Sequence, residues 1–202
     1  VLLFGYNSVM KELNCEKLLL KDYQKSIYRK FVRGVREYGL IEQGDRIAVC
    51  VSGGKDSMLM AKCLQLLQAR CPFSFELVFL VMDPGYAPED VECIRDNLAA
   101  LGIPAEVCQS DLFAVLREMQ AEHCFMCARM RRGVLYGLAQ ERGCNKIALG
   151  HHFDDAVETI LLSLFYGGEY KALMPMIQSQ NHPGMRLIRP MLLVKEQAVL
   201  AW

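Results

Sequence analysis

The chain has 202 residues, of which 52% are hydrophobic, and this predicts one domain, or one domain with a small appendage, around a packed core. Its 23 lysine and arginine residues are balanced by 23 aspartate and glutamate residues, which argues against a uniformly basic nucleic-acid binder. No apolar run approaches ~18 residues, and the first residues lack the basic region of a secretory signal. We therefore expect a cytoplasmic protein without a membrane span.

The first predicted element is a basic amphipathic helix within residues 21–36. This segment has six lysine or arginine residues and one acid, and its apolar residues Ile27, Phe31 and Val35 recur at steps of four. The basic flank is compatible both with a solvated surface and with contact to a nucleic acid. We assign residues 1–40 to an N-terminal extension with this helix and residues 41–202 to the main domain.

A glycine loop follows the first predicted strand, Arg46 to Val51, and precedes a helix from Met58 to Gln68. Adjacent glycines let backbone N–H groups approach an anion, and the positive end of the helix dipole points to the same place. A lysine adds charge, while an aspartate beside a polyphosphate suggests that Mg²⁺ lies between them. The candidate nucleotide-binding residues are Ser52, Gly53, Gly54, Lys55, Asp56 and Ser57.

Strands and helices then alternate along the chain. The near-continuous apolarity of the strand Phe75 to Met82 predicts burial on both faces, as in a parallel sheet. We predict a doubly wound α/β fold with a mostly parallel sheet and helices on both faces. The remaining predicted segments are helices 88–101, 111–119, 128–142 and 156–166, strands 104–108 and 146–149, a loop over 173–183, an extended stretch 185–193, and a helix from Lys195. That last helix has no cap, so we expect the natural protein to continue past Trp202.

A second polar loop, residues 150–155, follows the strand that begins at Lys146. Ligands of parallel sheets bind at the carboxyl ends of strands, so this loop and the glycine loop are expected to share one pocket. Asp154, Asp155 and Glu158 at the next helix start could simply complement the helix dipole. The two histidines immediately before them favour a role near a nucleotide and Mg²⁺.

The nine cysteines do not suggest a disulfide framework, because such scaffolds are usually shorter and secreted. Cys124 and Cys127 form a Cys-x-x-Cys pair, which is compatible with a structural zinc half-site, a redox disulfide or an iron–sulfur site. Zinc usually needs four ligands, and the only conceivable partners, His123 and Cys144, are not at a familiar spacing. The surroundings do not resemble a thioredoxin.

Four motifs in a fixed order resemble the tRNA 2-thiocytidine synthetase family, within the pyrophosphate-loop N-type ATP pyrophosphatases. They are the glycine loop 52–57, the cysteine segment 124–136, the string 149–159 (Leu-Gly-His-His-x-Asp-Asp-x-x-Glu-Thr) and the segment 166–175. The likeness runs from about Gln24 to Trp202. It implies an adenine nucleotide alpha hydrolase-like fold and the cofactors ATP, Mg²⁺ and a [4Fe–4S] cluster.

The resemblance also implies residue roles. Lys55 would stabilise the departing pyrophosphate, Asp56 and Asp155 would hold Mg²⁺, and these three are the candidate catalytic residues. Met82 and Asp83 would lie near the adenine of ATP, with Gly150 and His151 at the same site. Cys124 and Cys127 would hold the cluster, with a third cysteine in a C-terminal segment that this chain does not reach.

The implied reaction is adenylation of the C2 oxygen of a cytidine in a tRNA anticodon loop, followed by replacement of that oxygen with sulfur. The partners would be tRNA and a sulfide or persulfide donor, and the sequence leaves a homodimer open. Two alternatives remain: an amide- or lysidine-forming synthetase with an amine nucleophile, and a non-catalytic ATP-binding module with structural zinc. The candidate tRNA contacts are Arg129, Arg131, Arg132 and Lys171, with Arg186 and Arg189 in the same basic group.

Overall fold

The computed structural model describes residues 15–83, 85–109 and 124–202, with the backbone alone over residues 124–131. The predicted helix 111–119 lies outside the described residues. The strands are β1 (Arg46–Val51), β2 (Glu76–Asp83), β3 (Ala105–Gln109), β4 (Lys146–Ala148), β5 (Met176–Gln178) and β6 (Arg186–Ile188). The helices are α1 (Cys15–Leu20), a π-helical turn (Gln24–Tyr28) that leads into α2 (Arg29–Glu37), α3 (Lys55–Gln68), α4 (Pro88–Leu101), α5 (Cys124–Glu141), α6 (Phe153–Gly167) and α7 (Glu196–Ala201).

The strands form one six-stranded sheet in the order β3-β2-β1-β4-β6-β5. All neighbouring strands are parallel except β5 and β6, which pair antiparallel at one edge. The predicted doubly wound, mostly parallel fold is therefore confirmed. The order places the carboxyl ends of β1, β4 and β6 side by side.

Helices cover both faces of the sheet because its central strands are apolar on both faces over most of their length. On β1, Ile47, Val49 and Val51 belong to the larger core cluster, together with side chains of α2 and α3. The alternate residues Ala48 and Cys50 pack on the other face, against Tyr136 and Ala139 of α5 and the neighbouring strands. This period of two fixes which side of each strand meets which helix.

The predicted boundaries needed three corrections at helix starts. Helix α3 begins at Lys55, α5 at Cys124 and α6 at Phe153, so each helix takes in residues that we had assigned to the preceding loop. In α6 the reason is a cap: the His152 side chain accepts a hydrogen bond from the backbone N–H of Asp155. A histidine is an uncommon N-cap residue, so the pattern of apolar residues alone did not indicate it.

The segment 173–183, predicted as a loop, contains the short edge strand β5. A turn with Gly184 at φ +82 leads from β5 back to β6. Three residues are too few for a periodic pattern in the sequence, and β5 is a strand because its backbone pairs with that of β6.

The first helices pack on the loop that follows β6. The Cα of Gly34 on α2 lies so close that a Cβ there would be 3.5 Å from the Pro190 carbonyl oxygen. The Tyr23 hydroxyl donates a 2.7 Å hydrogen bond to the carbonyl of Ala201 at the other end of the chain. These contacts anchor the predicted amphipathic helix, whose stripe residues Ile27 and Phe31 are fully buried. Across the described ranges, no helix has the length and apolarity needed to cross a membrane.

Candidate active site

A cleft of about 340 Å³ opens at the carboxyl ends of the strands. The glycine loop after β1 and the loop after β4 both contribute to its wall, so the structure places the two loops at one pocket as expected. Its lining residues are Cys50, Val51, Ser52, Asp56, Ser57, Met82, Tyr86, Leu135, Leu149, Gly150, His151 and Asp155.

The glycine loop is held in shape by Ser57. Its hydroxyl donates to the Gly54 carbonyl at 2.9 Å and accepts from the backbone N–H of Ser52 at 3.1 Å. Gly53 has φ +83, and a Cβ on it would be 2.6 Å from Ile94 Cγ1, so only glycine fits there. The loop conformation is thus set by contacts within the protein, and the Ser57 hydroxyl bonds to the loop backbone.

Gly150 brings the second loop into direct contact with the first. A Cβ on Gly150 would be 3.1 Å from the backbone nitrogen of Ser57 and 3.2 Å from the carbonyl carbon of Asp56. Because these neighbours are backbone atoms at the start of α3, they have little room to move. The absence of a side chain at Gly150 sets the separation of the two loops.

His152 lies between the two carboxylates that we predicted as magnesium ligands. Its Nε2 is 3.7 Å from Asp56 Oδ1, and its Nδ1 is 3.4 Å from Asp155 Oδ2. The Asp155 carboxylate accepts a 2.7 Å hydrogen bond from the His152 backbone, which completes a capping box. Since Nδ1 accepts a hydrogen bond from the backbone of Asp155, the ring proton is assigned to Nε2, on the side of Asp56. The sequence placed His152 near the site but did not indicate this bridging position.

The donor set fits a divalent cation that is shared with a ligand. Asp56 Oδ1 is buried and makes no hydrogen bond within the described residues. In that part of the chain no group of three His, Cys, Asp or Glu side chains is arranged to hold a metal alone. Mg²⁺ commonly binds one or two carboxylates and completes its shell with phosphate and water oxygens. Asp56 and Asp155 match that pattern.

Lys55 is held by two acids at the start of α3. Its Nζ lies 3.2 Å from Asp56 Oδ2 and 3.5 Å from Glu196 Oε1 of α7. Partial burial lowers the pKa of Lys55, but the hydrogen bonds and charges of Asp56 and Glu196 outweigh it, and the net shift is upward. Lys55 therefore stays cationic. Glu196 was not predicted, because the residue lies 141 positions further along the chain.

Residues at the end of β2 differ in their roles. Met82 lines the cleft, and its contact with the adenine of ATP stays a prediction. The buried Asp83 carboxylate accepts hydrogen bonds from the backbone N–H groups of Gly85 and Tyr86, at 2.9 and 2.7 Å. Asp83 thus shapes the turn that carries Tyr86, and any contact of its own with a nucleotide stays a prediction.

The cysteine pair begins α5. The structure describes Cys124 and Cys127 by their backbone alone. Cys144 follows the far end of that 18-residue helix. The helical rise of about 1.5 Å per residue puts roughly 20 Å between Cys127 and the C-terminal end of α5. Cys144 is therefore excluded as a zinc partner of the pair.

Burial and then the neighbouring Cys144 raise the pKa of Cys50, which lines the cleft, to about 12, so that thiol stays protonated.

The predicted basic group does not form one surface. Arg132 and Lys171 are exposed, and Lys171 forms an ion pair with Glu169. The side chains of Arg129 and Arg131 lie outside the described side chains. Arg189, by contrast, is only 3% exposed, which corrects its assignment to the surface group.

Comparison with known families places these features in context. A family model described as the PP-loop domain matches residues 22–202. A protein of Alkalilimnicola ehrlichii named tRNA-cytidine(32) 2-sulfurtransferase is 44% identical over 183 residues, and one of the same name from Geotalea daltonii is 41% identical over 180. The chain belongs to the tRNA 2-thiocytidine synthetase family of PP-loop proteins. It spans 57% of the length of the first relative and 71% of the second.

The fold of this PP-loop protein is also found in a solved structure. The U34-tRNA thiolase NcsA from Methanococcus maripaludis, described with its [4Fe-4S] cluster, superposes with a TM-score of 0.68. Sequence identity is 23%, over 86% of this chain and 62% of the other. At this identity the likeness shows the fold alone.

Proposed function

We propose that this chain carries the ATP-binding site of an enzyme that replaces the C2 oxygen of a tRNA cytidine with sulfur. The names of its relatives support the substrate and the reaction. One observation carries the proposal. Gly150 lies close to the backbone at the start of α3, so that Asp56 and Asp155, which come from different loops, line the same cleft.

In the first half-reaction the cytidine O2 attacks the α-phosphorus of ATP and pyrophosphate leaves. The rigid loop from Ser52 to Ser57 would bind the pyrophosphate portion through backbone N–H groups and the dipole of α3. Lys55, already cationic, would stabilise charge on the leaving group. Mg²⁺ held by Asp56 and Asp155 would supply further positive charge to the phosphates.

In the second half-reaction a hydrosulfide sulfur forms a bond to C2 and loses its proton, the bond from C2 to the adenylated oxygen breaks, and AMP leaves with the original oxygen. Cys124 and Cys127 start α5, the helix that also contributes Leu135 to the cleft wall. A spacing of three places these two positions on the same face of the helix backbone. When bound there, a [4Fe–4S] cluster would supply an iron site able to carry sulfide.

The test is a reaction with purified components under anaerobic conditions. Protein, tRNA, ATP, Mg²⁺ and sulfide are combined, pyrophosphate and AMP are quantified, and digested nucleosides are analysed by mass spectrometry. We expect tRNA-dependent pyrophosphate release and the appearance of 2-thiocytidine. Asp56→Asn should reduce the rate about tenfold or more, because it removes a cation ligand. Asp96→Asn, at an exposed position on α4, is the matched control and should leave the rate unchanged.

Metal analysis of the same preparation separates the alternatives. Iron with acid-labile sulfide supports the proposal. Zinc without turnover of ATP would favour a non-catalytic module, and AMP release with an amine-derived product in metal-free protein would favour an amide-forming synthetase. Absence of tRNA-dependent pyrophosphate release would contradict the first half-reaction itself.

A further inference from the structure

Arg189 is a buried cation at the carboxyl edge of the sheet. It directly follows β6, beside the end of β4, where the backbone N–H of Leu149 donates a 3.0 Å hydrogen bond to the Ile188 carbonyl. The Arg189 side chain is 3% exposed. One guanidinium nitrogen, Nη1, donates to the Met174 carbonyl at 2.6 Å, whereas Nε has no hydrogen-bond partner within the described residues.

No carboxylate in the described part of the chain forms an ion pair with Arg189. The charged and titratable groups that act on it are Arg132 and Tyr136 of α5. Burial first, and then the charge of Arg132, lower the pKa of Arg189 to about 10. A buried charge without a counter-ion is unfavourable, because no opposite charge offsets the loss of its hydration. Buried polar groups without partners are rare in native proteins and are concentrated at functional or strained sites.

His151 adds a second unsatisfied group on the adjoining strand end. It lines the cleft, and its Nδ1 is buried without a hydrogen-bond partner in the described residues. Burial and then the charge of Arg189 lower its pKa, so the ring stays neutral near neutral pH. A neutral imidazole can still donate one hydrogen bond to an oxygen. Both groups are thus available for an acceptor-rich anion.

We propose that Arg189, with His151 and the exposed Arg132, binds a phosphate group at the margin of the cleft, beside the part of its wall that His151 forms. The planar guanidinium matches the oxygens of a phosphate, and Arg132 at the surface extends the positive charge outward. This site is separate from the glycine loop, since it is built on β4, β6 and α5 and not on β1 and α3. Two sources offer the same chemistry: the α-phosphoryl group of the nucleotide, or a phosphodiester of the bound RNA. The inference rests on the proposed function only in bringing these two ligands to the cleft.

The test measures binding and leaves sulfur transfer aside. Arg189→Gln is compared with the natural protein for AMP affinity by calorimetry and for affinity towards a tRNA anticodon stem-loop by fluorescence anisotropy. We expect at least one affinity to fall about tenfold or more, as for loss of a charge-assisted hydrogen bond. Loss for AMP alone identifies the α-phosphoryl group, and loss for RNA alone identifies a phosphodiester. Affinities for both ligands within twofold of the natural protein would overturn the proposal.

Two further variants separate binding from folding. Arg46→Gln is the matched control, because Arg46 begins β1 at the amino end of the sheet, away from the cleft, with a side chain 46% exposed and a 2.8 Å contact to Glu76. It should change neither affinity. Arg189→Met removes the uncompensated buried charge, so the Tm of the ligand-free protein should not fall. A marked fall in Tm would mean that Arg189 serves the fold, and the proposal would fail even if binding were also weaker. Failure of thiolation in the natural protein would leave these binding results standing.

Discussion

At the scale of single residues, the absence of a side chain at Gly150 lets the loop after β4 lie against the start of α3 in the cleft wall. Gly150→Ala adds a Cβ only 3.1 Å from the backbone nitrogen of Ser57, so the two loops must move apart. We expect ATP affinity, measured by calorimetry with Mg²⁺, to fall about tenfold, since the phosphate-binding N–H groups are displaced relative to Asp155. Gly137→Ala, in α5 with no atom within 4 Å of the new Cβ, is the control and should bind ATP normally. Equal ATP affinities for Gly150→Ala and the natural protein would show that ATP binding does not depend on the close approach of the two loops.

His152 combines two roles that substitution can separate. In His152→Asn the new side chain can still accept the hydrogen bond from the Asp155 backbone, so the cap of α6 is retained. It is too short to reach Asp56, which the Nε2 of His152 approaches to 3.7 Å. We therefore expect a Tm close to that of the natural protein and a higher Mg²⁺ requirement for pyrophosphate release.

The companion variant His152→Ala also removes the cap and should lose about 1 kcal/mol of unfolding free energy in addition. If His152→Asn released pyrophosphate at the natural Mg²⁺ concentration dependence, then His152 would be a capping residue alone.

The candidate site was predictable from the sequence only in part. The glycine loop and the string after β4 were recognisable because their chemistry is concentrated in a few consecutive residues. The burial of Arg189 and the contact of Glu196 with Lys55 were not predictable, because both depend on other segments of the chain: Glu196 meets Lys55, and the buried Arg189 donates a hydrogen bond to the Met174 carbonyl. A single arginine looks like a surface residue until its neighbours are known.

At the scale of elements, a buried ion pair joins β4 to the turn before β1. Lys146 is 1% exposed, and its Nζ contacts Asp45 Oδ2 at 2.7 Å and the Leu40 carbonyl at 3.1 Å. Lys146→Met leaves the 4% exposed Asp45 carboxylate without its cation. We expect a loss of about 3 to 5 kcal/mol of unfolding free energy in urea titrations, the usual cost of breaking a buried pair.

Two controls accompany the Lys146 variant. Arg46→Met removes the exposed ion pair with Glu76 and should cost no more than about 1 kcal/mol. The double variant Asp45→Asn with Lys146→Met should lose less unfolding free energy than the two single variants lose together. Both charges are then removed, so no buried charge lacks its partner. A loss for Lys146→Met as small as that for Arg46→Met would contradict the buried-pair assignment.

The elements themselves followed from the sequence more closely than their ends did. Apolar runs and helical spacing identify β1, β2, α3, α4 and α6, since burial on two faces or on one stripe leaves a periodic record. Helix starts depend on a cap such as His152, and the edge strand β5 depends on its partner β6. Neither of these is encoded in local periodicity.

At the scale of the whole molecule, the two proposed half-reactions are assigned to different parts of the chain. The loops proposed to bind ATP follow β1 and β4, whereas Cys124 and Cys127 begin α5. A variant with Cys124→Ser and Cys127→Ser leaves the loops and their carboxylates intact. We therefore expect unchanged ATP affinity, tRNA-dependent release of pyrophosphate of up to about one equivalent per protein, and no 2-thiocytidine.

The matched control is Cys93→Ser, on α4 and away from the cleft lining, which should turn over like the natural protein. Single-turnover measurement of pyrophosphate and mass spectrometry of the nucleosides distinguish the outcomes. Full multiple turnover in the double variant would mean that the nucleophile is not delivered at these cysteines, as expected for an amine. If the double variant also failed to release pyrophosphate, the cysteines would be needed for the first half-reaction. The start of α5 would then contribute to the shape of the ATP site.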